Sequence, residues 1–440
     1  MFITLIYQNL QYFPCDQSKV RMSLRSTCVF LFAASTLSAQ SNLISSHEFR
    51  GVWVVTLQNI DFPSKPTTDT NLLKSEWMQI VNDCKDWNMN AVIVQIRASG
   101  DAIYESKYSP WCKWTTGGQD IHLNKHFDVL QFMIQSAHIN GLSFHAWINP
   151  FREVIDGDTI HLSAKSAFKK HRNWFFKYGK EWLYNPGIPE VREHFSNIVE
   201  ELVQNYPIDA IHFDDYFYPY KVAGEELKDS AEYVTYGSEF NNIDDWRRNN
   251  VDLLIQDTHN MVKSINPEVQ VGVSPFGVWR NKENDPDGSD TKAGQASYDV
   301  LYADVLKWCR KGWIDYVAPQ LYWHIGFPVA DYEKLAHWWV NHTYGKTLYI
   351  GHAVHKVNNN KYPEWSEPNQ LPRQIAIDRT IPQIKGTMFF SYKDLKKNPL
   401  SVTDALVNQY YTNPVEIPSV TSSTKPIAAR KKHNLPSNQN

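Results

Sequence analysis

Two adjacent carboxylates stand at the end of a short apolar run in DAIHFDDYFYP, residues 209–219, where Asp214 and Asp215 are set among aromatic side chains. Acids in such a setting fit glycosidic bond hydrolysis, which uses two carboxyl groups flanking the bond, one giving a proton and the other acting as nucleophile or base. Adjacent residues of a strand point to opposite faces, so Asp214 and Asp215 form such a pair only if the strand ends between them. Otherwise the partner must come from a loop; Asp101, shortly after Arg97, is the first choice and Glu153 the next. His145 and His212 could act as bases, although an inward histidine is more often a hydrogen-bonded part of a core. Arg97 and Arg152 could hold an anionic group or a catalytic carboxylate.

Eight strand-like segments must position these groups: residues 49–56, 91–97, 142–149, 210–217, 269–276, 316–323, 347–353 and 387–392. Helical patterns separate and follow them, at 71–88, 126–140, 189–205, 243–265, 298–312, 331–344, 369–382 and 399–411. Strands alternating with helices imply a parallel sheet, and eight units predict an α/β protein with a closed (β/α)8 TIM barrel. An open doubly wound sheet is the alternative, weakened because no Gly-rich phosphate loop follows the first strand. The segments after strands two to five are long, at 98–124, 150–188, 218–242 and 277–297, and the connections on the other side are short. Long βα loops on one face are what an enzyme of this fold elaborates.

Buried parallel strands should be apolar on both faces, so polar residues within them need a reason. Gln95 and Arg97, then His145, Trp147 and Asn149, then His212, Asp214 and Tyr216, then Gln320 and Tyr322 each recur at every second position. That period puts each set on one face; the apolar residues between them suit the helix layer, so the polar sets should point into the barrel mouth. Arg97, Trp147, Asn149, Tyr216, Gln320 and Tyr322, with Trp279 and Trp323 from strand ends and loops, are therefore the expected substrate-binding residues. Trp111, Trp114, Trp174 and Trp182 are further candidates for stacking on sugar rings.

The formal net charge of −3 gives no basic footprint for a nucleic-acid partner. The 16 Trp and 23 Tyr mildly favour a carbohydrate ligand, because aromatic faces stack on sugars as well as filling cores. From Met22 the pattern is that of an export signal: Arg25, the apolar Val29–Ala34, and Leu37-Ser38-Ala39 before Gln40. Residues 1–21 read as an upstream extension of the frame, so 1–40 form extension and signal, 41–411 the barrel, and 412–440, rich in Pro, Ser, Thr, Lys and Asn, a disordered tail. No stretch is long enough to span a membrane, and the expected location is secreted or periplasmic. Cys84, Cys112 and Cys309 remain after the signal, an odd number without disulfide spacing. With no CxxC, HExxH or His/Cys cluster, neither a metal nor another cofactor is expected.

Taken together, EFRGVWVVT (48–56), VQIRASGDAIYES and PWCKWTTG (94–117), HAWINPFR (145–152), IHFDDYFYP (211–219), GVSPFGVWRN (272–281), APQLYWHIG (318–326), YIGHAVHK (349–356) and FFSYKDL (389–395) resemble the glycosyl hydrolase-like 10 family. The resemblance covers about residues 47–411 and implies a secreted or lipoprotein (β/α)8 barrel associated with bacterial cell-wall glycan. By it, Arg50, Gln95, Arg97, Asp101, Asn149, Asp214, Asp215, Gln320 and Tyr322 match the family's polar positions. The strand-four segment also resembles the DxxDxDxE motif of chitinase-type barrels, but Tyr216 stands where that motif has its catalytic Glu. The expected function is hydrolysis of an N-acetylated glycan; a catalytically silent carbohydrate-binding barrel is the alternative. An esterase or deacetylase is disfavoured by the lack of a GxSxG elbow or metal triad.

Overall fold

The structure, a computed structural model, describes residues 47–419. The segment read as an export signal, and residues 420–440 of the expected tail, lie outside the described residues. Among the described residues eleven strands occur in chain order: β1 (Phe49–Val54), β2 (Ala91–Arg97), β3 (Ser143–Ile148), β4 (Arg152–Val154), β5 (Phe175–Tyr178), β6 (Glu181–Tyr184), β7 (Ala210–Phe213), β8 (Gln270–Val273), β9 (Tyr316–Val317), β10 (Thr347–Ala353) and β11 (Ile384–Phe390). Eight close a barrel in the order β1-β11-β10-β9-β8-β7-β3-β2, so each strand neighbours the next barrel strand in the chain. Every pairing within it is parallel. This is the (β/α)8 barrel expected from the eight units.

The helices outside the barrel start where the sequence supplies a capping oxygen. Asp69 accepts from Asn71 N and Leu72 N ahead of Thr70–Asp86, and Asp128 from Gln131 N ahead of Val129–Ile139. Asn242 caps Ile243–Ile265 through Asp245 N. Each cap satisfies amide groups that the first helical turn leaves without partners. The pattern expected over 298–312 shortens to Val305–Lys311, because Tyr302 has φ +53° and Asp304 provides the cap. The helix expected over 399–411 breaks into short turns, Leu400 and Ser401 both adopting positive φ.

Alternation along the strands divides the apolar residues into two cores. Phe49, Trp53, Ile93, Trp147, Tyr316, Tyr349 and Met388 pack inside the barrel. Val52, Val92, Val94, Phe144, Ala146, Ile211 and Phe213 pack outward against the helices. Gly272 is inward as well, and a Cβ there would lie 1.9 Å from the Tyr316 ring, so only glycine lets Tyr316 cross the barrel. Two strands end early. β7 stops at Phe213, and the β9 ladder is Tyr316–Val317 because Pro319 has no N–H to give. Bridges from Gln320 to Phe276 and Gly351 continue the pairing past that proline.

Three features differ from the expected pattern. The long segment after β3, expected as a loop, carries an antiparallel sheet, β4-β6-β5. Residues 413–416, expected to belong to a tail, lie beside the start of β1: Glu48 N donates to Glu416 O at 3.0 Å, and Arg50 to Asn413 O at 2.8 Å. Finally, β2 slips by one residue against β3, for Gln95 pairs with Trp147 but Arg97 pairs with Ile148. Such a bulge re-aims the side chain that follows it. Arg97 therefore leaves the face it was expected to share with Gln95.

Candidate active site

The C-terminal ends of the strands open on a cavity of about 390 Å³. Asp214, Asp215 and Tyr216 line it from the end of β7, Trp147 from β3, Gln95 from β2, and Trp53 and Val55 from β1 and its end. Ser274, Gln320, Tyr322, His355 and Phe390 complete the far wall, and Arg152 and Tyr220 close one side. A second lobe of about 440 Å³ shares Arg152, Tyr216 and Tyr220 with the first and extends to Tyr178, Lys180 and Glu181 on the β5–β6 hairpin. The two lobes adjoin across these three side chains.

Because β7 ends at Phe213, its alternation ends there too, and both acids reach the cleft. Their surroundings differ. Asp214 Oδ2 accepts from Trp147 Nε1 at 3.1 Å and Asn149 Nδ2 at 2.7 Å, and its Oδ1 accepts from Tyr216 N at 2.9 Å. Burial pushes its carboxyl up, while Arg152 and these three donors oppose the push. Donors of that kind favour the ionised form. Asp215 is held by the Tyr220 hydroxyl alone among side chains. Burial, and then the charge of Asp214, push it up to about 7. Burial thus raises both carboxyls, but Asp214 has three donors and Asp215 one, so of the two Asp214 is the better placed to ionise and Asp215 to hold a proton. Arg152 lies with its guanidinium 3.4 Å from the centre of the Tyr216 ring, which fixes it at the junction of the two lobes.

The layer beneath the acids is neutral. Trp53 Nε1 can only donate, and it points to His212 Nε2 at 3.3 Å, with Ser274 Oγ on the same nitrogen at 2.9 Å. His212 must then carry its proton on Nδ1 and give it to the Tyr316 hydroxyl at 2.8 Å, which leaves that hydroxyl to donate to His145 Nδ1 at 2.9 Å. Burial holds His145 down at about 4 and His212 well below its ordinary range. Both histidines are hydrogen-bonded core, with no nitrogen of His212 left for a reacting group.

Of the residues expected to bind substrate, Trp147, Tyr216, Gln320 and Tyr322 line the cleft, and Asn149 lies directly behind it, donating to Asp214. Arg97 does not face the mouth. The bulge turns it outward, where its Nη1 donates to Asn149 O at 2.6 Å and its guanidinium lies 5.8 Å from the rings of both Tyr184 and Phe195. Asp101 is not in the cleft lining either. It is buried behind β2, accepting from Lys113 N at 3.2 Å and Gln119 Nε2 at 3.4 Å. Trp279 is buried against Tyr298 and Trp338, and Trp323 is half-buried edge-on to Phe276; neither reaches the cleft. Nor do Trp111, Trp114, Trp174 and Trp182, so the cleft's tryptophans are Trp53 and Trp147. Arg50 pairs with Glu48 at the opposite end of β1. Trp53, Ser274, Tyr220, His355 and Phe390 line the cleft beyond the expected residues. Trp53 on β1, Phe390 on β11 and Ser274 just past β8 keep the inward spacing of their strands and were legible in principle, whereas Tyr220 lies in a loop without period. Among the described residues no group of three or more His, Cys, Asp and Glu side chains could hold a metal ion, and no helix is long and apolar enough to cross a membrane.

The profile of the glycosyl hydrolase-like 10 family matches residues 48–367, which include every strand end that lines the cleft except that of β11. The chain belongs to the glycosyl hydrolase-like 10 family. It is 45% identical over 410 residues to the glycosyl hydrolase YngK of Bacillus subtilis, an alignment covering 92% of this chain and 80% of that one. It is 37% identical over 376 residues to the glycosyl hydrolase DigH of Escherichia coli strain K12, covering 80% and 85%. Among solved structures, the glycoside hydrolase domain of PgaB (BpsB) from Bordetella bronchiseptica shares the fold, with a TM-score of 0.52 and 15% identity, covering 82% of this chain and 98% of that domain. This member of the family is a glycoside hydrolase, and its substrate is a carbohydrate.

Proposed function

We propose that the protein is an exported hydrolase of an N-acetylated polysaccharide of the cell-wall type, and that the substrate's own acetamido oxygen is the nucleophile. One observation carries this reading: the carboxylates lining the lobe that holds the acids are two consecutive residues, Asp214 and Asp215. Consecutive residues at one strand end do not stand on opposite sides of a scissile bond, as two-carboxylate mechanisms require. The one other acid along the cleft is Glu181, on the hairpin rim of the second lobe. A carbonyl oxygen supplied by the 2-acetamido group fills the missing role.

In this mechanism Asp215 gives its proton to the glycosidic oxygen as the bond to the anomeric carbon breaks. The acetamido oxygen forms a bond to that carbon from the opposite face, giving a cyclic oxazolinium ion. Asp214 carries the compensating negative charge. Its two oxygens offer about four acceptor positions, of which three are filled, so one remains for the acetamido N–H. Water then attacks the anomeric carbon as its bond to the acetamido oxygen breaks and reopens the ring, the water's proton passes to Asp215, and the configuration is retained. Trp53, Trp147, Tyr216 and Tyr322 supply the aromatic walls, and the second lobe extends the cleft to several sugar units, whose binding adds energy usable at the reacting bond.

The test is the anomeric configuration of the first product released from N-acetylglucosamine oligomers or peptide-free cell-wall glycan, followed by proton NMR. Retention is expected, with inhibition by a thiazoline analogue of the oxazolinium ion. An inverted product would overturn the reading. Activity should also rise with chain length beyond the disaccharide, and a flat dependence would count against the extended cleft.

A further inference from the structure

Asp214 owes its best donor, the Asn149 amide, to a chain of side chains that starts at a backbone N–H. Leu57 N can only donate, and it lies 3.1 Å from Gln95 Oε1. The other end of the Gln95 amide must then be its Nε2, which lies 3.3 Å from Asn149 Oδ1. That contact in turn fixes Asn149 with Nδ2 toward Asp214 Oδ2, at 2.7 Å. Arg97 holds the same residue from behind through the Asn149 carbonyl. Asn149 is fully buried, so no water competes for its amide.

We infer that Gln95 is a positioning residue: it sets the orientation of the Asn149 amide, so that a donor rather than an acceptor faces Asp214. This rests on the proposed role of Asp214 as the charged member of the pair. Other groups also act on Asp214. Asp215 and Tyr216 face it from its own strand end, Tyr220 from the loop that follows, Arg152 from β4, and Tyr322 from the segment after β9. His212 beneath it and His355 across the cleft are both kept toward the neutral form by burial. The Gln95 side chain hydrogen-bonds to Leu57 N and Asn149 and to none of these groups, so a change at position 95 reaches Asp214 through Asn149 or through added charge, and a double-variant cycle separates the two.

Gln95→Glu keeps the acceptor for Leu57 N and replaces the donor to Asn149 by an acceptor. The Asn149 amide should then turn over and present Oδ1 to Asp214. The readout is the Asp214 carboxyl midpoint, followed by carbon NMR in the Asp215→Asn background, with folding checked by circular dichroism. We expect Gln95→Glu to raise that midpoint by roughly one unit or more, and by less than about half as much when Asn149→Ala is also present. In the protein with Asp215 intact, kcat should fall about 10-fold or more with KM changed less than about threefold, and the acid limb of the pH profile should move to higher pH. Equal shifts with and without Asn149, or no shift, would overturn the inference. Should Gln95→Glu not fold, the unsubstituted protein still decides: the Asn149 side-chain nitrogen should titrate with the Asp214 midpoint, and a flat response would overturn it. The titration needs no substrate, so a protein that cleaves no glycan would sink the proposed function and leave this result standing.

Discussion

Two groups of buried acids lie close to β2, β3 and β7, each with an arginine, and they differ in almost every respect that matters for chemistry. Asp214 and Asp215 open on the cleft beside Arg152. Asp101 and Glu153 lie behind the strands around Arg97, with no access to it. Burial pushes all four carboxyls up, Asp215 and Glu153 both to about 7, so a raised proton affinity does not tell the groups apart. What does is where the backbone stops alternating. β7 ends one residue before the acid pair and releases both side chains into the mouth, whereas the bulge in β2 turns Arg97 outward, where Asp101 and Glu153 lie near enough to feel its charge. An acid with an arginine beside it becomes an active-site candidate only when a cavity faces it.

Neutralising one acid in each group should separate them most clearly. Asp215→Asn and Asp214→Asn should each lower turnover by about 10²–10⁴-fold while folding survives, the usual contribution of acid–base catalysis. Asp101→Asn should cost less than about threefold in the same glycan-release assay. An equal loss from Asp101→Asn would return Asp101 to the catalytic pair.

The pH dependence sharpens it further. Asp215 must hold its proton to act as the acid, so kcat should fall as pH rises through about 7. The charge of Asp214 is the second cause of that elevation, after burial. Residual activity of Asp214→Asn should therefore have its alkaline limb displaced to lower pH. A limb that stays in place would show that another group is the acid.

The buried group should instead answer in stability. Glu153 in the fold holds its proton up to about 7, against an ordinary value of 4.5. Below pH 4.5 the carboxyl is protonated in both folded and unfolded chains, and it costs nothing. Between 4.5 and 7 the unfolded chain releases the proton first, so stability falls with rising pH and levels off above 7. The cost at pH 8 is on the order of 3 kcal/mol. Glu153→Gln removes the ionisation and should flatten that part of the decline, measured as denaturant midpoints at pH 5 and pH 8, with kcat little changed. Identical declines in the two proteins would contradict the assignment. The smallest effects belong to the aromatic residues outside the cleft: Trp279→Phe and Trp323→Phe should each change kcat/KM less than about twofold, as expected where no transition-state contact is lost.

The eight-fold alternation of strand and helix, and with it the barrel, is legible in the residues alone. Hydrophobic period and capping residues are local properties, and Asp69, Asp128 and Asn242 cap helices close to where the pattern starts them. Period two also brought out Trp147, Asn149, Asp214, Gln320 and Tyr322, because an inward polar residue on a buried parallel strand is anomalous wherever it occurs. The rest depends on contacts between distant parts of the chain. A one-residue slip between β2 and β3 depends on the pairing of two strands, and it moved Arg97 out of the mouth although its spacing from Gln95 is the inward one. The end of β7 depends on where its neighbours stop offering partners, and it made a pair of two acids that strict alternation would have set on opposite faces. Asp101, Tyr220, Trp279 and Trp323 lie beyond regular strands, where no period assigns a direction, and the packing of distant elements alone set which of them reaches the cleft.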